Sequence, residues 1–213
     1  MKLYTFFRSS AAYRVRIALN LKGLEYEPIA KTFAKKEHRA ADYLALNPQG
    51  LIPALEVEGA TLAQSLAIIE YLDEKHRGRR PLLPDDPLGR ARVRSMALAI
   101  ACDIHPLNNL RVLNYLRKEL QQDDAGVNAW YRHWIHVGFE GLEAQVSAYS
   151  ASQRYCYGDD VSLADVCLVP QMYNARRFET DLTPFPRLCA ISAHLESLPA
   201  FAAARPEMQP DAR

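Results

Sequence analysis

The stretch Phe6–Gly23, FFRSSAAYRVRIALNLKG, settles how the chain begins. Ahead of it, Lys2 to Phe6 alternates and is rich in aromatic residues, the pattern of a short strand. From Ala12 the period changes, because Val15, Ala18 and Leu19 recur at helical spacing and Gly23 follows as a stop. A strand running straight into a helix predicts an α/β opening. It also puts Ser9 and Ser10 at the head of that helix, where unpaired N–H groups and a partial positive charge stabilise an anion. If the anion is a thiolate, each donor lowers the thiol pKa and raises the reactive fraction near neutral pH. The plainer alternative is that one serine only caps the helix.

The following segments extend the same pattern. LEYEPIA is a second strand candidate, and EHRAADYLALNP a short helix ended by Asn47-Pro48. Ala54 to Val57, the turn Glu58-Gly59 and Thr61 to Ala63 form a hairpin pattern. Ser65 is placed to cap a helix over Leu66 to Lys75, so the order βαβαββα is complete by about residue 77. RGRRPLLPDDP, Arg77–Pro87, has the prolines and clustered charge of a linker. Beyond it strand signals vanish, and five stretches have helical periodicity or composition: 91–101, 106–121, 128–149, 163–178 and 189–203. Ser162-Leu-Ala-Asp165 is a capping-box-like start with a carboxylate three residues in. The predicted architecture is a small α/β domain, residues 1–80, followed by an all-helical one, residues 86–213.

Composition bounds the function. The 213 residues carry a formal net charge of +1, which offers no global attraction to nucleic acid or an anionic membrane, so any anion site must be local. Cys102, Cys156, Cys167 and Cys189 form no CxxC pair, and are expected to be reduced, buried thiols rather than zinc ligands or a redox motif. Cys102 in particular is apolar-flanked and reads as core. His76, His133, His136 and His194 have no partners at metal-ligand spacing and read as structural. The N-terminus lacks the apolar run of a signal peptide and no stretch reaches the length of a membrane span, so a soluble cytoplasmic protein is expected.

Two further devices share the first domain. GLIPAL sets Pro53 just before an apolar strand, where an ordinary proline would remove a ladder bond unless the strand is an edge. A cis Ile52-Pro53 bond, uncommon in general, would turn the Ile52 backbone toward a peptide-like ligand. Gln64-Ser65 opens another helix and supplies an amide and a hydroxyl at a second anion-binding terminus.

Together, FRSSAAYRVRIALNLKG, NPQGLIPAL, QSLAIIEYLDE, DIHPLNNLRVL and SLADVCLVPQMYNARRFETDLTPFP resemble the zeta class of glutathione transferases, whose bacterial members are maleylacetoacetate and maleylpyruvate isomerases. The similarity runs in order over nearly the whole chain. It implies a thioredoxin-like N-terminal domain, a helical C-terminal domain, a homodimer and glutathione as cofactor. It implies that Ser9, with Ser10 near it, faces the glutathione sulfur, and that Ile52 before Pro53 pairs with the cysteinyl unit. Gln64 and Ser65 would hold the γ-glutamyl carboxylate, and His38 and Gln49 the glycyl end. His105 and Asn109 sit where family dimers reach across to the neighbouring glutathione. Many relatives have cysteine at the place of Ala11 and tryptophan at Tyr13, so this chain has no protein thiol there.

Substrates of this class carry a carboxylate at one or both ends of a cis enone. Thiolate addition turns the double bond into a rotatable single bond, after which the thiolate leaves and glutathione returns unchanged. Such chemistry needs a stabilised thiolate and cationic grips for carboxylates. The resemblance implies Arg8 and Arg177 as the two grips, with Arg111 and Arg176 as assistants or as solvated helix-face residues. Arg14 and Arg16 are open between surface pairing, a contribution to local potential and contact. Two rival functions remain, a zeta-type transferase acting on small α-haloacids and a non-catalytic glutathione-binding module. Paired arginines favour the diacid, and retention of Ser9, Gln64 and Ser65 disfavours an inert module.

Overall fold

The computed structural model describes residues 1–212, which pack as two compact units: Met1–Pro81 with the chain from Ser197 onward, and Leu82–Glu196. The division expected at 86–213 therefore differs from the packing. The chain returns to the first unit after the eighth helix, because its closing apolar residues, Phe201 and Ala204, are buried against the first helix.

The first unit contains β1 (Lys2–Thr5), α1 (Ser10–Leu21), β2 (Glu27–Ala30), α2 (Ala41–Leu46), β3 (Ala54–Val57), β4 (Ala60–Ala63) and α3 (Ser65–Lys75), in the expected order βαβαββα. The sheet runs β2-β1-β3-β4, with β1 parallel to β2 and antiparallel to β3. Pro28, opposite Leu3, is tolerated because β2 is an edge strand. The β3–β4 turn uses Glu58 and Gly59, both at positive φ. α1 starts at Ser10, two residues before the apolar period becomes visible, because Ser9 supplies the cap. Ser65 is the first residue of α3 and not its cap; Gln64 holds that place at φ 69°. A short helix, α9 (Pro199–Ala204), lies on α1, and Asn20 Nδ2 donates to Ala200 O at 3.0 Å.

Lys22, 2% exposed, closes the far end of α1 by donating to Asp73 Oδ1 on α3 at 2.8 Å and to Arg79 O at 3.0 Å. Such a buried ion pair is tolerated because the remaining ammonium hydrogens also find acceptors.

The second unit holds α4 (Pro87–Leu98), a π-helical turn (Ala99–Ile104), α5 (Leu110–Lys118), α6 (Asp124–Tyr149), α7 (Leu163–Arg177) and α8 (Pro186–Ser197). Asp86 caps α4, its carboxylate accepting from Gly89 N at 2.7 Å, and Asp123 caps α6, accepting from Gly126 N at 2.8 Å. α4 and the π turn pack on α6 and α7. At Gly138 on α6 a Cβ would lie 2.3 Å from Ile104, so the π turn reaches α6 only over a glycine. Ile100 and Ile104 face inward from that turn, which leaves Cys102 on the outer side; it is exposed, correcting the expectation of a core thiol. Cys189 is also only half-buried, whereas Cys156 and Cys167 are buried as expected. Among the described residues no helix is long and apolar enough to cross a membrane.

Candidate functional site

The first unit gathers the candidate site residues around α1 and the start of α3. Ser9 is the N-cap, its Oγ accepting from Ala12 N at 3.2 Å, and its own N–H donates to Phe6 O at 2.9 Å. Because Oγ accepts from the helix, the hydroxyl hydrogen is left to point elsewhere, and accepting one bond strengthens its donation of another. Ser9 is half-buried, whereas Ser10 is buried at the first helical position, so Ser9 is the hydroxyl that keeps an accessible side. No acidic residue occupies the first turn of α1. The helix's own first turn therefore supplies no counter-charge to its N-terminal N–H groups and partial positive charge.

Ile52 sits beside this turn in an apolar cluster with Ala12, Tyr43 and Ala54, and the Ile52–Pro53 bond is cis. Strand pairing begins only at Ala54. Just upstream, Leu51 O accepts from Tyr43 Oη at 2.6 Å and from Asn47 Nδ2 at 2.8 Å, so α2 and its exit fix the approach to the cis bond. These two side chains were not legible as site residues. Nothing in a Tyr followed by a helix-ending Asn-Pro distinguishes a loop anchor from a core residue and a stop.

The third device, the start of α3, is tied to α1 by Arg14, whose Nη1 donates to Ser65 Oγ at 3.4 Å. Arg14 and Arg16 are 1% and 0% exposed, which corrects the surface role left open for them. Both turn inward: Arg14 reaches Ser65, and Arg16 is buried among the oxygens of Thr5, Phe7 and Ala204. Gln64 Nε2 donates to Gln49 Oε1 at 2.8 Å, joining those two candidates. Gln49 O accepts from Arg39 Nη1 at 3.4 Å, and Gly50, at φ +58°, passes so close that a Cβ would lie 2.9 Å from His38 O. His38 stacks on Phe33, 4.4 Å between ring centroids, and Phe33 contacts Phe6 at 4.9 Å. Burial first, then Arg39, lowers the His38 pKa, which favours its neutral form. Arg8 is exposed with its guanidinium 4.9 Å above the Phe7 ring.

Residues 1–74, which carry the Ser9-capped start of α1, the cis Ile52–Pro53 bond and the start of α3, match the family model "Glutathione S-transferase, N-terminal domain". A probable maleylacetoacetate isomerase of Vibrio cholerae is 52% identical over 99% of this chain and 97% of its own. The solved holo structure of a maleylpyruvate isomerase, a bacterial glutathione transferase of the zeta class, superposes with a TM-score of 0.96 at 49% identity, over 99% of each chain. The chain belongs to the zeta class of glutathione transferases. A maleylacetoacetate isomerase from Methylobacterium extorquens, solved with bound malonate and glutathione, gives a TM-score of 0.95 at 40% identity over 100% of both chains.

In the second unit of this zeta-class chain, Arg177 ends α7 with its guanidinium 4.6 Å above the Phe178 ring, and Phe178 in turn stacks on Tyr131 at 3.5 Å. Burial drives the Tyr131 pKa up to about 12, and the neighbouring Arg177 charge and its hydrogen bond partly oppose that rise. The phenol and the aromatic face thus orient the cation. Tyr131 is a third residue that sequence reasoning missed, since an aromatic at helical spacing on α6 reads as core. Arg176, one residue away, does not join it: its Nη1 pairs with Glu196 Oε1 at 2.5 Å and its Nη2 donates to Ser192 Oγ at 3.2 Å, which makes it a tie between α7 and α8. Arg111 is exposed on α5. Asn109 caps that helix, its Oδ1 accepting from Arg111 N at 3.1 Å, and His105 closes the π turn. His136 has a carboxylate companion, with Nδ1 3.4 Å from Glu140 Oε1, an exposed pair one helical turn apart. Among the described residues no group of three or more His, Cys, Asp or Glu is placed to hold a metal ion.

Proposed function

We propose that this chain is a glutathione-dependent cis–trans isomerase of a maleyl keto diacid, maleylacetoacetate or maleylpyruvate. The observation that carries the reading is the acid-free, Ser9-capped N-terminus of α1, with Ile52 packed beside Ala12 and Ser65 tied to Arg14. That donor set suits glutathione: an anion-stabilising terminus for the sulfur, backbone at Ile52 for the peptide, and a cation with a hydroxyl and an amide for a terminal carboxylate. When bound, glutathione supplies a thiolate that adds reversibly to the cis double bond, so that the bond can rotate before the sulfur leaves. Ser9 donates its free hydroxyl hydrogen toward the sulfur position, and the first-turn N–H groups of α1 add the field of the helix. Gln64 and Ser65 hold the γ-glutamyl end, with Arg14 behind Ser65, while Gln49 and His38 border the glycyl end. Arg8 and Arg177 are each read as a grip for a substrate carboxylate, and their planar guanidinium groups favour bidentate pairing.

The same reading makes the protein a cytoplasmic homodimer, with His105 and Asn109 at the edge shared between subunits. Names and bound ligands of the relatives support the isomerase reading, since all three carry isomerase names and one was solved with bound malonate and glutathione. The test is to follow loss of the cis enone of each substrate with and without glutathione while titrating free thiol. Turnover that requires glutathione and leaves its concentration unchanged is expected. Stoichiometric loss of thiol would replace the isomerase with a conjugating transferase.

A further inference from the structure

The loop Phe6–Ser9 leaves β1 and enters α1, so its peptide groups belong to neither element and must find partners elsewhere. Two of them are held by the C-terminal segment and by a buried cation. Phe7 N donates to Asp211 Oδ2 at 2.9 Å, and Phe7 O accepts from Arg16 Nη2 at 3.0 Å. Arg16, with no solvent exposure, also donates from Nη1 to Thr5 Oγ1 at 3.1 Å and from Nε to Ala204 O, at the end of α9, at 3.1 Å. One guanidinium therefore joins the end of β1, the loop and α9. Burial lowers its pKa to about 10, which leaves it a cation at neutral pH, and the Asp211 charge acts in the opposite direction. The two groups answer each other electrostatically while they grip opposite sides of Phe7.

We infer that the segment from Pro199 to Asp211 is a strap that positions the Ser9 loop, with Asp211 as a positioning residue acting through Phe7 and Arg16 as the cross-tie. Ser9 lies two residues beyond Phe7. With both peptide groups of Phe7 fixed, the direction in which the loop delivers Ser9 to the head of α1 is fixed as well. Arg8, between them, uses the same anchored Phe7 ring as its platform. The significance for catalysis rests on the reading of Ser9 as the thiolate donor; the anchoring itself does not.

Asp211→Leu removes the acceptor and the charge, while Asp211→Asn keeps a neutral acceptor at the same place. Amide hydrogen exchange in the ligand-free protein should show Phe7 exchanging about tenfold faster in Asp211→Leu, the loss of one hydrogen bond, with Leu55 in the central sheet unchanged. Asp211→Asn should recover most of the protection. An ultraviolet titration of bound glutathione should place its thiol pKa higher in Asp211→Leu than in wild type, with glutathione affinity within about twofold because the tripeptide contacts are untouched. Unchanged Phe7 exchange overturns the strap whatever the chemistry. Faster exchange with an unmoved thiol pKa overturns the positioning role. If wild type itself binds glutathione with an ordinary thiol pKa, the Ser9 reading fails, and the exchange result alone then upholds or removes the strap. Should Asp211→Leu unfold as a whole, seen as faster exchange at Leu55, the same comparisons are decided with Asp211→Asn.

Discussion

Among the described residues two helices are capped by serine, and they finish the job differently. At α7 the Ser162 cap is answered from within: Asp165, fully buried, accepts from Ser162 N and Oγ at 2.8 and 2.7 Å and from Cys156 N at 2.8 Å. The positive end of that helix is closed by its own carboxylate. At α1 the Ser9 cap is followed by Ser10, Ala11 and Ala12, no acidic residue stands in the first turn, and Ala12 N donates to Ser9 Oγ. The difference teaches that a helix N-terminus is structural or available according to whether the chain supplies its counter-charge.

The largest effect should come from opening the closed end. Asp165→Ala leaves buried N–H donors at Cys156 and Ser162 without an acceptor, at about 1 to 3 kcal/mol each, so urea unfolding should show a loss of roughly 3 to 5 kcal/mol. Burial raises the Asp165 pKa against the pull of its hydrogen bonds. A carboxyl with a raised folded pKa binds more protons in the folded state, so its stabilising share is greatest in acid and declines as pH climbs from the ordinary carboxylate range to the folded value. The stability gap between wild type and Asp165→Asn should therefore narrow over that window and then level. A gap that widens with pH would show the hydrogen bonds outweighing burial.

At the open end, Ser9→Ala should raise the thiol pKa of bound glutathione and cut isomerase turnover about 10- to 100-fold, the worth of one charge-assisted hydrogen bond of 1.5 to 3 kcal/mol, with little change in glutathione affinity. Thermal unfolding should register only the lost cap, about 1 kcal/mol. Unchanged thiol titration would make α1 as purely structural as α7. Closing the open end sharpens the contrast further. Ala11→Asp puts a carboxylate into the first turn of α1 and should add about 0.3 to 1 kcal/mol of stability while raising the thiol pKa, because the same charge favours the helix and opposes the anion.

The far ends of the helices carry the contrast to the arginines. Arg177→Met and Arg8→Met should each lower kcat/KM for the diacid by roughly one to two orders of magnitude, since a charged hydrogen bond is worth about 1.5 to 3 kcal/mol, and should leave conjugation of a neutral electrophile nearly unchanged. Arg176→Met should change the diacid reaction little and stability by at most about 1 kcal/mol, because its bond to Glu196 is an exposed ion pair. If Arg176→Met matched Arg177→Met in the diacid assay, the tie to α8 would not be its main role.

Local signals carried most of the first unit into view. The period change at Ala12, the Glu58-Gly59 turn and the Ser162–Asp165 spacing each act over a few residues, and each appears in the structure. What escaped reading depends on distance along the chain. Arg14 and Arg16 sit on a helix face whose burial is decided by α3 and α9, so nothing within their own helix announces it. Cys102 looked apolar-flanked but lies on a π turn, where the inward positions fall on Ile100 and Ile104. The candidate site was legible where a motif is compact, as at the Ser9 cap, the cis Ile52–Pro53 bond and the helix start at Gln64-Ser65. Tyr43, Asn47 and Tyr131 act by holding another group, and a supporting side chain has no local signature.

The bond from Phe7 to Asp211 spans 204 positions of sequence. A ribosome delivers the chain from the N-terminus, so β1, α1 and the rest of the first sheet emerge long before their last partner exists. The half of the protein that comes out first is thus the half completed last. Folding of the first unit on the ribosome can proceed through its local βαβ contacts, but the loop carrying Ser9 waits, unfastened, until the helices of the second unit have been made and the closing turn is released. If the strap positions Ser9, the loop is fastened only once Asp211 has been made, long after the sheet beside it first forms.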